Sequence, residues 1–307
     1  MDIGVYLLAM VPPFLYAATN HLDNILLEQY FKEGGVGTLI LFSAILSIIA
    51  LPIFYLIDPT VMQVNLYSFS ILTMVGVLNT ILLWCYLKAM FSDEPTVVVI
   101  YYQLVPVIAL GLGYVVLGET LLLYQLWAMG VIILGALILI VAIDSDGRIV
   151  FKARTAVYML IASTCWAAES VLFKVVALKE NVWRSLFWEH AVLAVIGILI
   201  FILVPKYRGS FNKALRLNSK SILGINVTNE IAYMTGNSIA AFVVVLIPVS
   251  ITLLMNSFQP LFVLIIGFAL HYLLPHIQVV HVSKGNLKQK LIAIAMTGCG
   301  AYMLGWS

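Results

Sequence analysis

The sequence predicts an all-α integral membrane protein of ten transmembrane helices, arranged as two inverted five-helix repeats. Three observations carry that prediction. First, of 307 residues, 63% are hydrophobic and only 10% charged, and the mean hydropathy is +1.08. Ordinary globular chains run at roughly 45–50% apolar and about 25% charged, so lipid must be the solvent for much of this surface. Second, ten stretches reach the roughly 20 apolar residues that a bilayer-crossing helix needs. Third, the chain matches itself weakly at an offset of about 150 residues, with the same order of features throughout.

The ten stretches are 3–30, 36–57, 67–91, 95–117, 121–143, 154–178, 184–204, 219–241, 244–273 and 288–305. Turn and charge signals separate them: Gly34-Gly35, Asp58-Pro59, Asp93-Glu94-Pro95, Gly118-Glu119, 144–154, 205–220 and 275–288. The longest breaks, 205–219 and 274–287, read as short basic loops, and no stretch is left for a soluble domain. At the N-terminus, Met1-Asp2-Ile3 lacks the basic residues of a secretory signal, and Pro12-Pro13 interrupts the apolar run. The segment therefore reads as a mature membrane helix, with no organellar transit peptide.

The repeat places Tyr16-Ala17-Ala18 over Trp166-Ala167-Ala168 and Asn79-Thr80 over Asn229-Glu230. After a small shift, Gln103-Leu104-Val105-Pro106 lies over Ser257-Phe258-Gln259-Pro260. The halves are residues 1–143 and 154–307, joined by the loop 144–153. Five helices per half is an odd number, so the two halves must have opposite orientations.

Lysine and arginine give the orientation. One side collects Lys32, Arg148, Lys152, Arg154, Lys206, Arg208, Lys213, Arg216, Lys220, Lys284, Lys288 and Lys290; the other has Lys179 and Arg184. The first side is expected to be cytoplasmic, which puts both termini outside. Net charge is +2 with no basic block, so nucleic acid is not a partner. Cys85, Cys165 and Cys299 are far apart, in apolar segments, without metal-ligand spacing, and read as small buried residues.

Polar residues deep in a span are costly, roughly 2.5–3.5 kcal/mol for a central Asp or Lys on insertion scales. Each therefore asks for a partner or a role. Asn226, Asn229, Glu230, Tyr233 and Asn237 share one helical face at i, i+3, i+4, i+7 and i+11. Such a stripe faces an internal cavity rather than bulk water. The first segment carries a second stripe of Tyr16, Thr19, Asn20 and Asp23, and the sixth one of Ser163, Trp166, Glu169, Ser170 and Phe173. Asn79 and Tyr86 lie two turns apart in the third, Tyr101 and Tyr102 precede Gln103 and Pro106 in the fourth, and Asn256 and Gln259 stand beside Pro260 in the ninth.

Glu230 and Glu169 are read as cation-binding or proton-binding groups, the other reading being a structural ion pair with Lys174 or Lys88. Asp23 joins them as a third proton-coupling candidate, unless the first helix ends before it. Glu189 and His190 read as interfacial, His21 and His271 as helix-packing residues with a proton relay as the second reading, and Glu119 as a helix-start residue. Gly111 and Gly113 read as close-packing residues. Pro106, Pro248 and Pro260 allow kinks, either as hinges or as static bends.

Residues 77–142 join these features into one pattern: a helix ending in a short acidic break, a helix with a mid-membrane proline, the turn Leu117-Gly118-Glu119, and a helix with Gly130 and Gly135. This resembles the EamA branch of the drug/metabolite transporter superfamily, whose usual turn is Leu-Gly-Glu. The second half departs from the pattern, reading His271-Tyr272-Leu273-Leu274-Pro275 at the matching turn. The resemblance implies ten helices around a central cavity lined by the first, third, fourth, sixth, eighth and ninth. It also implies transport of small metabolites, a class that spans amino acids, amines, choline, nucleobases and sugars. Many members have cytoplasmic termini, opposite to the orientation the charge count gives.

Trp166-Ala167-Ala168-Glu169-Ser170 is similar to the sixth-helix pattern of choline-importing members. Aromatic rings near buried carboxylates suit quaternary or protonated amines, and Trp166 and Tyr233 stand three residues from Glu169 and Glu230. The expected substrate-binding residues are Tyr16, Asn20, Asn79, Tyr102, Trp166, Glu169, Asn226, Asn229, Glu230 and Tyr233. The expected protein is a secondary transporter, not an enzyme, in the plasma (inner) membrane. Its solute would be an amine or choline-like cation or an amino acid, with proton coupling as an option. It would need no cofactor or metal, and a monomer suffices. The chain has no G-x-x-x-x-G-K-[ST] loop for ATP, and no H-E-x-x-H, G-x-S-x-G or paired-aspartate motif for a membrane enzyme. The stronger alternative is a flippase of an amphipathic lipid-linked substrate, which a lateral opening between helices would mark.

Overall fold

Prolines and glycines decide where this chain's helices break and where they touch. The computed structural model describes residues 3–30, 35–93, 95–118, 123–143, 149–151, 153–217, 219–273 and 287–304. Glu119, residues 144–148 and the 274–286 part of the second basic loop lie outside the described residues.

The first expected segment is in pieces. Helix α1 (Ile3–Ala9) stops before α2 (Val11–Ile25), which carries Pro12 and Pro13 in its first turn. There the missing N–H groups have no intrahelical partner to lose. A wider turn, Leu26–Tyr30, follows α2. Helices α3 (Gly35–Ile57) and α4 (Leu66–Met90) are continuous, the first running straight through Pro52 and the second capped by Asn65.

The fourth segment divides into α5 (Pro95–Tyr101) and α6 (Leu104–Leu117). Pro106 cannot donate to the Tyr102 carbonyl four residues back, and that carbonyl accepts instead from the Val105 N–H. Gly118 closes α6 at φ +68°, a left-handed conformation that glycine adopts without steric cost. That is the physical content of the Leu-Gly-Glu turn.

Helix α7 (Leu123–Ile140) leads into a short antiparallel pair, β1 (Val141–Ile143) and β2 (Ile149–Phe151); the first replaces the expected end of the fifth helix and the second lies in the expected loop. Then come α8 (Ala153–Ala177), α9 (Val182–Leu203), α10 (Pro205–Leu217) and α11 (Ser219–Leu246). The last are α12 (Val249–Met255), α13 (Gln259–Leu273) and α14 (Leu287–Leu304). Pro248 separates α11 from α12, so the eighth segment runs five residues beyond the expected 241. Pro260 has the effect of Pro106: the Asn256 carbonyl, deprived of a partner, accepts from Gln259 N–H, and α12 and α13 are parted at Asn256–Phe258.

The basic stretch 205–219 is a helix over most of its length, not a loop. Pro205 occupies the first turn, and Tyr207, Phe211 and Ala214 recur at i, i+4 and i+7. Phe211 and Ala214 are buried, Phe211 against Phe42 and Phe201, which leaves the basic residues to the other face. A helix of this kind suits a membrane surface.

Among the described residues, seven helical stretches are long and apolar enough to cross a membrane: Val36–Ile57, Leu66–Met90, Val97–Leu117, Ala153–Ala177, Val182–Leu203, Ile222–Leu246 and Val249–Tyr272. The other three expected segments give the shorter helices α2, α7 and α14, of 15, 18 and 18 residues. The outer surface is apolar: Leu56, Val115 and Leu203 are 80%, 78% and 70% exposed. The interior is where asparagines, glutamines and carboxylates collect. Apolar side chains thus cover the outside as well as filling most of the core, as lipid solvent permits, and the buried polar residues are a minority set within it.

The main packing pairs are α4 with α8, α7 with α14, α3 with α9, and α2 with α11 and α13. Glycines permit the closest approaches. A Cβ on Gly197 would stand 2.0 Å from the Ala44 Cβ, and one on Gly76 2.6 Å from the Val192 side chain. Gly111, expected to be a close-packing residue, has nothing within 4 Å of a Cβ. Gly113 is buried and accepts from the Gly118 N–H at the end of α6. At one end of the bundle, Asp58 accepts from Thr60 and Asn181, Arg184 pairs with Glu180, and Trp188 donates to the Val61 carbonyl. This polar latch ties the α3–α4 connection to the α8–α9 connection.

Gly197→Val is expected to lower thermal stability in detergent by about 1–3 kcal/mol, the range for overpacked cores. Gly111→Ala, which meets open space, is the control and should be neutral. Equal melting temperatures for the two variants would show that α3 and α9 do not depend on this contact.

Candidate functional site

Helices α2, α3, α4, α8, α9 and α11, with Tyr102 from the break at 102–103 and Gln259 from the start of α13, surround one polar cavity with about 80 Å³ of room. Each wall comes from a stripe at helical spacing. Tyr16, Thr19, Asn20 and Asp23 face it from α2; Asn79 and Tyr86 from α4; Trp166 and Glu169 from α8; Asn229, Glu230, Tyr233 and Asn237 from α11. Tyr102 and Gln259 reach it from the helix breaks.

Of the ten expected substrate-binding residues, nine line this cavity, and so does Asp23. The exception is Asn226. It is buried, but it does not line the cavity, and its amide donates to the Ile222 carbonyl one turn back. Being on the right face is not enough there, because the cavity ends one turn short of it.

Two carboxylate centres share the space. In the first, Asp23 accepts from the Tyr86 hydroxyl at 2.8 Å and the Asn229 amide at 2.7 Å. Tyr86 in turn accepts from Asn20, whose own carbonyl oxygen accepts from Gln259 at 2.7 Å. Glu230 belongs to the same side and accepts from Ser43 on α3 at 2.9 Å. Asp23 is therefore inside the protein, and α2 reaches it in its last turn rather than ending before it.

The second centre holds two acids. The Asn79 amide lies 3.2 Å from Glu169 Oε1, 3.3 Å from Glu189 Oε1 and 3.4 Å from the Tyr233 hydroxyl. One amide with two hydrogens thus serves three acceptors, all at long distance. Asn237 donates to Glu189 as well, at 3.2 Å. Glu169 Oε2 and the Asn229 Oδ1 are buried without a hydrogen-bond partner, acceptor positions that a cationic or hydrogen-bonding guest would fill.

Glu189 is the residue that sequence reasoning misplaced. Expected at the interface, it is 4% exposed, two turns inside α9, because that helix starts at Val182 behind the Asn181 cap. Its signal was the i+4 spacing from Ser185, another fully buried polar residue on the same face. His190 is buried beside it and bonds the Leu186 carbonyl, and His21 bonds that of Val263. Both are packing histidines, and His271 is exposed. Lys174 donates to the Ile247 carbonyl and Lys88 lies over the Trp84 ring. Cys85 and Cys165 are buried as expected, but Cys299 is exposed.

Aromatic rings complete the walls. Tyr102 meets Trp166 edge-on at 4.7 Å, Tyr16 meets Trp166 at 6.0 Å, and Tyr16 meets Tyr233 at 5.9 Å between centroids. Three buried carboxylates, Asp23, Glu169 and Glu230, and these four rings therefore line one space, with Glu189 behind Asn79 at its edge. Chemically it offers carboxyl groups, hydrogen-bond acceptors and π-faces, a combination suited to cations.

An apolar exterior, seven bilayer-length helical stretches and a polar interior define a multi-pass integral membrane protein. Residues 4–141 match the EamA-like transporter family, as the first-half motifs had suggested, which places the protein among membrane transporters. No curated protein matches the chain in sequence. One solved crystal structure, titled only as a protein, is similar over 99% of this chain and 97% of its own, with a TM-score of 0.54 at 13% identity. That likeness concerns the fold alone.

Tyr86→Phe is expected to destabilise the folded protein by about 1–3 kcal/mol, since it removes the donor to a buried carboxylate and strands the Asn20 amide. Tyr124→Phe, whose buried hydroxyl has no partner, should have the smaller effect in the same thermal melt. The reverse ranking would mean that the Asp23 network is not under hydrogen-bond tension.

Proposed function

We propose that this protein is a secondary transporter of a small organic cation, of amine or choline type, or of an amino acid held by its ammonium group. One observation carries the reading: three buried carboxylates, Asp23, Glu169 and Glu230, and the rings of Tyr16, Tyr102, Trp166 and Tyr233 line one cavity inside an apolar bundle. A protonated amine can hydrogen-bond to the acids, and a quaternary one can rest on the rings. Glu230, Glu169 and Asp23 are the candidates for a coupling proton, and Glu189 joins them. The membrane would be the plasma (inner) membrane.

Transport would proceed by alternating access between the halves 1–143 and 154–307, each contributing five helices in opposite orientation. Two features support the inverted repeat. The breaks at 102–103 and 256–258 each precede a proline at matching positions, and they touch: Gln103 Nε2 donates to the Ser257 carbonyl at 3.3 Å. The cavity's small volume fits a closed state of such a cycle, since ligand sites usually measure about 300–1,000 Å³.

A thermal-shift screen of the purified protein with choline, tetramethylammonium, polyamines, amino acids and small organic anions tests the reading. Cations are expected to stabilise it and anions not; stabilisation by anions alone would sink the proposal. In proteoliposomes, Glu230→Gln is expected to flatten the pH dependence of uptake, and an unchanged profile would remove Glu230 from the coupling role.

A further inference from the structure

Glu230 borders two spaces. One is the polar cavity; the other is a groove of about 680 Å³ between α3 and α11, open at the bundle's outer surface. Apart from Glu230, Thr235 and Ser238, the groove's lining is hydrocarbon and ring, with Ile49, Ile53 and Phe54 on one side and Ile231, Met234 and Phe242 on the other. The Thr235 hydroxyl donates to the Ile231 carbonyl at 2.7 Å, so it adds little polarity. The groove runs from Val227 to Phe242 along α11, 15 residues or about 22 Å at helical rise. Its far end is Trp183 and Ile57, beside the Asp58–Asn181 latch. Its inner end is the Glu230 carboxylate, hydrogen-bonded to Ser43 of α3 at 2.9 Å.

We infer that this groove holds the alkyl tail of a single-chain amphiphile whose cationic head sits at Glu230, so that the transported class extends to amphipathic amines. The inference rests on the cationic reading above. Charge and continuity select this occupant. A carboxylate terminates an apolar groove, and the same carboxylate opens onto an aromatic, acid-lined cavity. A bilayer lipid lying in the groove would have the opposite polarity, with its headgroup near Trp183 and its methyl end against Glu230, which leaves the carboxylate without compensation. An amphiphile with its head at Glu230 satisfies both ends. The head then crosses inside the protein while the tail stays in hydrocarbon, so the tail is never exposed to water.

The test is a chain-length series of alkyltrimethylammonium salts, from tetramethylammonium to the dodecyl compound. Each is bound to the protein in lipid nanodiscs, wild type against the groove-filling variants Thr235→Trp and Ser238→Phe. The ratio of variant to wild-type dissociation constant cancels the tail's own partition into lipid. It is expected to be near one for tetramethylammonium and to grow to tenfold or more at dodecyl, while Glu230→Gln weakens every member. A ratio that stays flat with chain length overturns the groove and leaves the cationic reading standing; it would mean that bilayer acyl chains alone occupy the space. No binding by any member overturns the cationic reading, and the groove falls with it. A change in oligomeric state on filling the groove would assign it to a second copy of the chain instead. Bromine at the tail terminus gives a readout on the native side chains. It is expected to quench the fluorescence that wild type has and Trp183→Phe lacks, and absence of that quenching overturns the placement of the tail.

Discussion

Everything in this structure answers to the cost of holding four carboxylates inside an apolar bundle. Asp23, Glu169, Glu189 and Glu230 are buried away from bulk water, so the protein must supply dipoles for them. It does so with neutral groups: asparagine amides at 20, 79, 229 and 237, the Tyr86 hydroxyl, Ser43 and Gln259. The helices these groups come from must therefore meet at one place. That requirement fixes α2 against α11, α4 against α8 and α9, and both helix breaks at the same level. The small residues follow from it: Gly76 lets α4 approach α9 near Glu189, and Gly236 lies 3.0 Å, measured from a Cβ position, from the Tyr16 ring.

The acids are unequally served. Asp23 has two short hydrogen bonds, Glu230 has one, Glu189 has long ones from Asn79 and Asn237, and Glu169 has only a share of the oversubscribed Asn79 amide. An arrangement complete in itself would not leave Glu169 Oε2 bare. The network therefore leaves buried acceptor positions open, at Glu169 Oε2 and Asn229 Oδ1, and both lie on residues that line the cavity.

Much of this was legible in the chain. Polar residues at i, i+3, i+4 and i+7 in apolar segments named the cavity walls, because inside a membrane a polar stripe has nowhere else to face. Prolines named the breaks. What escaped was whatever depends on how far a helix extends or tilts. Glu189 lay close to an estimated helix start, and a shift of two residues at Val182 took it from the surface to the centre. Asn226 obeyed the stripe, but the cavity does not reach its level. Helix α10 hid behind its charge: six basic or polar residues masked the spacing of Tyr207, Phe211 and Ala214. The groove beside α3 could not be read at all, since an apolar residue facing lipid and one facing a groove look the same in sequence.

The two helix breaks touch through Gln103 and the Ser257 carbonyl. The two proline-associated breaks are therefore not independent of one another. If one shifts, the other must either follow or give up a buried hydrogen bond. Mechanically this joins two weak points of the backbone into a single linkage across 154 residues of chain.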